Sequence, residues 1–252
     1  MCEKVDFLGL KINPWGFDTF LNKIEENIIS RKYLQQVSSV NGAIVVYAHK
    51  DPNLKRAINN SWYVNADGMS VVWGLRFLGH KIPERASCPE LFDKLIILCE
   101  KKGYKPYFLG AKEDVIKKTI ENLKKKHPKL KIAGFRNGYF TEEEDLLIAE
   151  EIKKSKADML FLGISSPKKE LFVEKCLKIM SVPFTFGVGG VFDIIAGKTK
   201  RAPVWMQRIG MEWIYRLMQE PKRMWKRYLI TNSILIYYLL RAKFYNKLIK
   251  SK

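Results

Sequence analysis

The sequence predicts an α/β fold with a largely parallel sheet, followed by a basic amphipathic helical appendage. Three observations carry this. Short apolar strand-like runs alternate with helical ones along most of the 252 residues, the pattern of a parallel sheet flanked by helices. Polar or glycine-rich segments recur where those strands end. From Arg201 onward the chain is crowded with Arg, Lys, Trp, Tyr and aliphatic residues and holds two carboxylates, Glu212 and Glu220. We therefore divide it into a core, residues 1–200, and an appendage, residues 201–252.

In order, residues 5–12 read as a strand and 17–29 as an amphipathic helix. Residues 34–38 read as a strand and 43–49 as the helix after it. Asp51-Pro52 has the form of a helix start, with proline in the first turn. A short strand over 62–65 ends at Asp67-Gly68, and 70–78 is a strongly apolar helix. The second half repeats the rhythm. Strands are expected at 106–109, 131–135, 158–163 and 184–186, with helices at 114–126, after Thr141, at 167–179 and ending near Gly197. Glu144 stands at capping-box spacing from Thr141. Pro203 opens the appendage. No internal repeat or low-complexity linker interrupts the chain.

Composition narrows the class. A hydrophobic fraction of 47% with 28% charged residues is that of a folded globular protein. The net charge of +19 predicts attraction to polyanions: acidic lipid, a diphosphate or nucleic acid. The basic residues concentrate in an aliphatic-rich tail and match no nucleic-acid motif, which speaks against nucleic acid. Interleaved cations and aromatics suit a helix at an anionic membrane surface. The apolar run from Tyr228 to Leu240 is broken by Thr231, Asn232 and Ser233 and falls short of the roughly 20 residues of a membrane span. We expect it to lie on the membrane. Cys2, Cys88, Cys99 and Cys176 form no C-x-x-C pair, and no cysteine–histidine cluster suggests zinc, so a reducing cytosolic compartment is expected and no metal or cofactor. The amino-terminal residues lack a signal peptide's apolar run.

In an open α/β sheet, ligands sit beyond the carboxyl ends of the strands. Ser39, Asn41, Asp67-Gly68, Gly110, Asn137-Gly138, 165–169 and 187–193 all fall there. Asp67 suits a general base on a sugar hydroxyl, and equally an ordinary Asp-Gly turn. Gly187-Val188-Gly189-Gly190 lacks the third glycine of a dinucleotide fingerprint, so a nicotinamide cofactor is rejected. The turn still permits close approach of a nucleotide, with Asp193 to hold it or to cap the turn. Ser165, Ser166, Lys168 and Lys169 could meet an anion or simply open a helix. Arg85 is a surface residue or, in a cleft, a diphosphate partner. Arg216, Arg223, Lys226 and Arg227 recur at helical spacing on either side of Pro221 and favour anion contact.

Taken together, many of these segments resemble one family. They are Asp67-Gly68 with the Val-Val-Trp helix, Pro83-Glu84-Arg85, Asn137-Gly138-Tyr139-Phe140, Leu162-Gly163 with Pro167-Lys168-Lys169-Glu170, Gly187-Val188-Gly189-Gly190 with Phe192-Asp193, and Arg201-Ala202-Pro203 through Glu212-Trp213 and Arg216 to Glu220-Pro221. The chain is similar, from about Val5 to Tyr228, to the bacterial WecG/TagA/CpsF glycosyltransferases, glycosyltransferase family 26. The resemblance implies a Rossmann-like core and an inverting, metal-independent transferase on the inner face of the bacterial plasma membrane. It implies transfer of N-acetylmannosamine from UDP to N-acetylglucosamine on undecaprenyl diphosphate, in teichoic-acid or surface-polysaccharide synthesis. It makes Asp67 the base and puts Arg85 beside the reacting sugars. Arg216, Arg223 and Lys226 then hold the diphosphate, Ser39, Asn41 and Lys169 contact sugars, and Gly187, Gly189 and Asp193 seat the nucleotide.

Four positions depart from the family's pattern. Ser39 stands for threonine and keeps the hydroxyl. Ser87-Cys88-Pro89-Glu90 stands for Thr-Gly-x-Asp. Lys169 stands for glutamine, and Lys226 for arginine. The Lys169 cation raises an alternative donor, an acidic UDP-uronate, or else UDP-glucose. The altered 87–90 loop raises an inactive membrane scaffold of a polysaccharide assembly complex. The apolar residues of the appendage would also suit a homo-oligomer interface.

Overall fold

The computed structural model describes residues 4–30, 34–82 and 85–250. Of the motif Pro83-Glu84-Arg85, the first two residues lie outside the described residues, as does Cys2. The chain opens with an antiparallel hairpin, β1 (Val5–Phe7) and β2 (Leu10–Ile12). The single strand expected over 5–12 is thus two. Leu8 and Gly9 both take positive φ, 54° and 80°, and reverse the chain between them.

A six-stranded, wholly parallel sheet follows, in the order β4-β3-β8-β7-β5-β6. Its strands are β3 (Gln35–Val40), β4 (Tyr63–Ala66), β5 (Pro106–Gly110), β6 (Gly134–Arg136), β7 (Met159–Gly163) and β8 (Phe184–Gly187). Alternate residues of each strand face opposite layers. Val37, Tyr63, Phe108, Phe161, Phe184 and Phe186 pack under α1 (Phe17–Ser30), α5 (Cys88–Lys102), α6 (Glu113–Lys126) and the short α9 (Val191–Ile195). On the other face, Val40, Val64 and Ala66 pack with α2 (Gly42–Lys50), α3 (Pro52–Asn60) and α4 (Met69–Phe77), and with the hairpin. Leu109, Leu160 and Leu162 on that same face pack with α7 (Asp145–Lys154) and α8 (Lys168–Met180). Asp51 caps α3 by accepting from the amides of Asn53 and Leu54, and the Thr141–Glu144 capping box is present.

Strands β3 and β8 are neighbours, yet the helices that follow them lie on opposite faces, α2 on one and α9 on the other. In open α/β sheets, ligands sit outside the carboxyl ends of the strands at such a reversal, which here means the ends of β3, β4 and β8. The candidate residues lie there.

The appendage comprises α10 (Val204–Arg208), α11 (Glu212–Gln219) and α12 (Pro221–Lys250). Pro221 occupies the first turn of α12, where its missing N–H costs nothing. Thr231 and Ser233 do not break the helix, because their hydroxyls donate to the carbonyls of Arg227 and Leu229 four residues back. Helix α12 lies along α2. Leu235 is buried among the residues of α2 and α4, and Tyr238 stacks on His49 with ring centroids 4.4 Å apart. The appendage therefore shares its core with the first 80 residues. Its outer side leaves Trp225, Leu229, Ile236, Tyr237, Leu240 and Phe244 exposed. No helix of the described residues is long and apolar enough to cross a membrane.

Candidate active site

Asp67 follows directly from the end of β4, and its amide donates to the carbonyl of Val40 at the end of β3 (2.9 Å). Its carboxylate Oδ1 accepts from the amide of Cys88, the first residue of α5, at 2.8 Å. First-turn amides have no acceptor inside their own helix, and Ser87 at the cap position makes no side-chain capping bond. Asp67 fills that role from 21 residues away, which fixes one of its oxygens.

Beneath Asp67 runs a directional chain of hydrogen bonds. Ser39 and Asn65 are register partners on β3 and β4 and project from the same face. The Cys88 thiol donates to Ser39 Oγ (3.0 Å), Ser39 donates to Asn65 Oδ1 (2.7 Å), and Asn65 Nδ2 donates to the carbonyl of Ala86 (2.6 Å). Burial, and then the Asp67 charge, push the Cys88 thiol well up, while the Lys169 ammonium opposes them. The thiol stays a donor. Ser39 was expected to face a sugar. It is instead buried, with its hydroxyl committed on both sides, and supports the site from below. Asn41 caps α2 through Ile44 N (3.2 Å) and packs against Gly68, where a Cβ would come within 3.1 Å of its own.

The 187–190 turn forms the second wall. The stem of Lys169 lies across Gly187, and a Cβ there would meet Lys169 Cε at 2.7 Å, so a larger residue would displace that stem. Lys169 Nζ pairs with Glu170 at 2.6 Å and also donates to Ser166 Oγ; both members of the pair are buried. The Lys169 charge is therefore balanced locally, which removes the reason for expecting an acidic sugar beside it. Gly189 takes φ +56°. Above Gly190 sits Arg216 of α11, whose Nη2 lies 2.7 Å from where a Cβ would be. Asp193 pairs with Lys198 at 3.8 Å, and its carbonyl accepts from the amides of Lys198 and Thr199.

A third group ties the appendage to the core. Arg85 Nη1 meets Glu212 Oε2 at 3.1 Å. Arg201 reaches Glu90 at 2.7 Å, Glu212 Oε1 at 3.7 Å and Ser87 Oγ at 3.3 Å. Gln219 clasps Lys200 through both backbone groups, each at 2.8 Å. Around the half-buried Tyr228, burial pushes the hydroxyl up, while the guanidiniums of Arg216, Arg227 and Arg223 pull it down. Arg223 is exposed and pairs with Glu220. Among the described residues, the Nε atoms of Arg216 and Arg227 are buried without a hydrogen-bond partner. Lys226 is exposed, and Arg227, one position on, is the residue turned inward.

The remaining expected segments serve packing. Gly110 closes on the backbone of Gly163, and Gly138 on Gly110; a Cβ would come within 2.5 Å and 2.9 Å. Missed in the sequence were α5 and the tie from its Glu90 to Arg201, 111 residues on, which also reaches Glu212. Among the described residues, no group of three His, Cys, Asp or Glu side chains is placed to hold a metal ion.

The profile of the Glycosyl transferase WecG/TagA/CpsF family matches residues 5–248. The chain belongs to this family. A relative from Bacillus subtilis (strain 168), N-acetylglucosaminyldiphosphoundecaprenol N-acetyl-beta-D-mannosaminyltransferase, is 33% identical over 211 residues, 84% of this chain and 81% of the relative. The protein of the same name from Bacillus spizizenii (strain W23) is 29% identical over 227 residues, 90% and 85% of the two chains. As a WecG/TagA/CpsF glycosyltransferase, the chain carries its Asp67 cluster, glycine turn and appendage arginines on one contiguous stretch of matched sequence.

Proposed function

We propose that this enzyme transfers N-acetylmannosamine from its UDP donor to N-acetylglucosamine linked through a diphosphate to undecaprenol. The observation that carries the reading is Arg216. An appendage cation rests on the glycine turn after β8, two strands along from the oriented carboxylate after β4. Inverting displacement needs both. Asp67 Oδ2 takes the proton of the acceptor hydroxyl as that oxygen bonds to the anomeric carbon. The bond from this carbon to the β-phosphate oxygen breaks, and its electrons leave with UDP. Arg216, Arg223 and Arg227 meet the growing charge, with Lys226 at the edge. Arg85 borders the sugars, and in this scheme no divalent ion is called for.

Asn41 and Lys169 line the sugar side, and Gly187, Gly189 and Asp193 the nucleotide side. The locally neutralised Lys169–Glu170 pair favours an uncharged donor sugar over a uronate. The exposed apolar side of α12, interleaved with Lys222, Arg223 and Lys226, suits anionic lipid on the membrane leaflet that presents the acceptor. The test is a screen of UDP-N-acetylmannosamine, UDP-glucose and UDP-uronates with a soluble lipid-diphosphate acceptor, read by product mass. The reading expects an N-acetylmannosaminyl product. Product from another donor alone, or none with any donor while liposome binding persists, would refute it.

A further inference from the structure

Asp67 and Arg216 lie on different parts of the molecule, yet one continuous set of contacts joins them. It passes through the first turn of α5. Cys88, at the first position of that turn, holds Asp67 Oδ1. Two other residues of the turn are held by Arg201 at the root of the appendage: Ser87 through its hydroxyl at 3.3 Å and Glu90 through its carboxylate at 2.7 Å. Arg201 also reaches Glu212 Oε1 at 3.7 Å, while the other oxygen of the same carboxylate pairs with Arg85 at 3.1 Å. Glu212 and Arg216 are one turn apart on α11 and share a face. Arg216 in turn rests on Gly190.

The turn that aims the carboxylate has no side-chain cap of its own. Its position is set from outside, by Asp67 on one side and Arg201 on the other. We propose that Arg201 is a positioning residue that couples the seating of the appendage to the aim of the Asp67 carboxylate. The proposal rests on the reading of Asp67 as the base. With α11 seated, Glu212 and Glu90 hold Arg201 between them and the Cys88 amide is fixed on Asp67. When α11 lifts, Arg201 loses Glu212, the α5 turn loosens, and Asp67 loses the donor that orients it. The chain's own Glu90 and Ser87 make this coupling. The base is thus competent only when the diphosphate-binding arginines are in place, which withholds catalysis until donor and acceptor are enclosed.

Amide exchange reads the coupling directly and needs no turnover. In the full chain labelled with [15N]cysteine, Cys88 reports the bond to Asp67, and Cys99, near the other end of α5, is an internal control. Arg201→Met should speed Cys88 exchange about tenfold or more, within the usual range of coupling between sites, and leave Cys99 unchanged. Arg201→Lys should restore part of the protection. In transfer assays, Arg201→Met should lower kcat by about tenfold with donor KM within about twofold, the pattern of a misaimed group rather than lost binding. Unchanged Cys88 exchange, equal acceleration at Cys99, or unaltered kcat with a freed Cys88 amide would each overturn the proposal. If Arg201→Met does not fold, Glu90→Gln removes one grip and decides by the same readings. A wild-type chain without transferase activity would refute the function proposed above, and the amide result would still decide the coupling.

Discussion

Replacing Gly190 by alanine tests the seat of Arg216 without touching the arginine. Gly190 has φ −76° and ψ 12°, which alanine adopts without strain. The new methyl would meet a single group, Arg216, with Nη2 at 2.7 Å and Cζ at 3.7 Å. Ordinary contact would push the guanidinium away by nearly an ångström, because the end of a flexible side chain yields more readily than backbone. A charge-assisted hydrogen bond contributes about 1.5–3 kcal/mol. Losing one to the diphosphate in the transition state would lower kcat/KM roughly 10- to 100-fold. Thermal stability should hold, since no core group is displaced. Gly189→Ala is the contrast: nothing crowds its Cβ, but φ +56° makes alanine costly by about 1 kcal/mol or more. That variant should lose stability and keep most activity. Initial rates of UDP release, with melting curves of the same samples, distinguish the two. Wild-type kcat/KM in Gly190→Ala would refute a catalytic use of Arg216 at this seat.

Three further predictions follow from the same structure. Lys169→Met leaves Glu170 buried and unpaired, which costs about 3–5 kcal/mol. The melting temperature should fall by roughly 6–20 °C, and Lys169→Met with Glu170→Met should recover most of it in calorimetry. Glutamates at Trp225, Leu229 and Ile236 together should abolish sedimentation with anionic liposomes while the circular dichroism spectrum stays unchanged, because all three are exposed. Glu100 accepts from His127 Nδ1 and the Lys129 amide, which hold its carboxyl below the usual value of 4.5. A folded value below the unfolded one stabilises the fold above that pH and fades as pH falls through the folded value. Glu100→Gln should therefore lower the melting temperature at pH 7 and have a smaller effect at pH 3.

The sheet was legible in the sequence because buried parallel strands are short apolar runs with polar ends, and β5, β7 and β8 fit that description. Caps were legible where they are local, as at Asp51 and across Thr141–Glu144. Helix α5 went unread although Ser87, Pro89 and Glu90 have the form of a helix start; what spacing could not show is that the cap bond itself comes from Asp67, far away in sequence. The hairpin was read as one strand because Leu8 at positive φ is an unusual turn residue. In the site, Asp67, Asn41 and Arg216 could be named from the sequence and from the resemblance. Which arginine turns inward on α12, and that Ser39 spends its hydroxyl on Asn65, depend on three-dimensional partners that spacing alone does not specify.

The most direct test of the account is Asp67→Asn in the full chain, with transfer rate and UDP affinity measured on one preparation. Loss of a general base should lower kcat by about 10²- to 10⁴-fold while the dissociation constant for UDP stays within about twofold. A rate near wild type would contradict the mechanism, because no other described carboxylate is held by the α5 amide at the carboxyl end of β4.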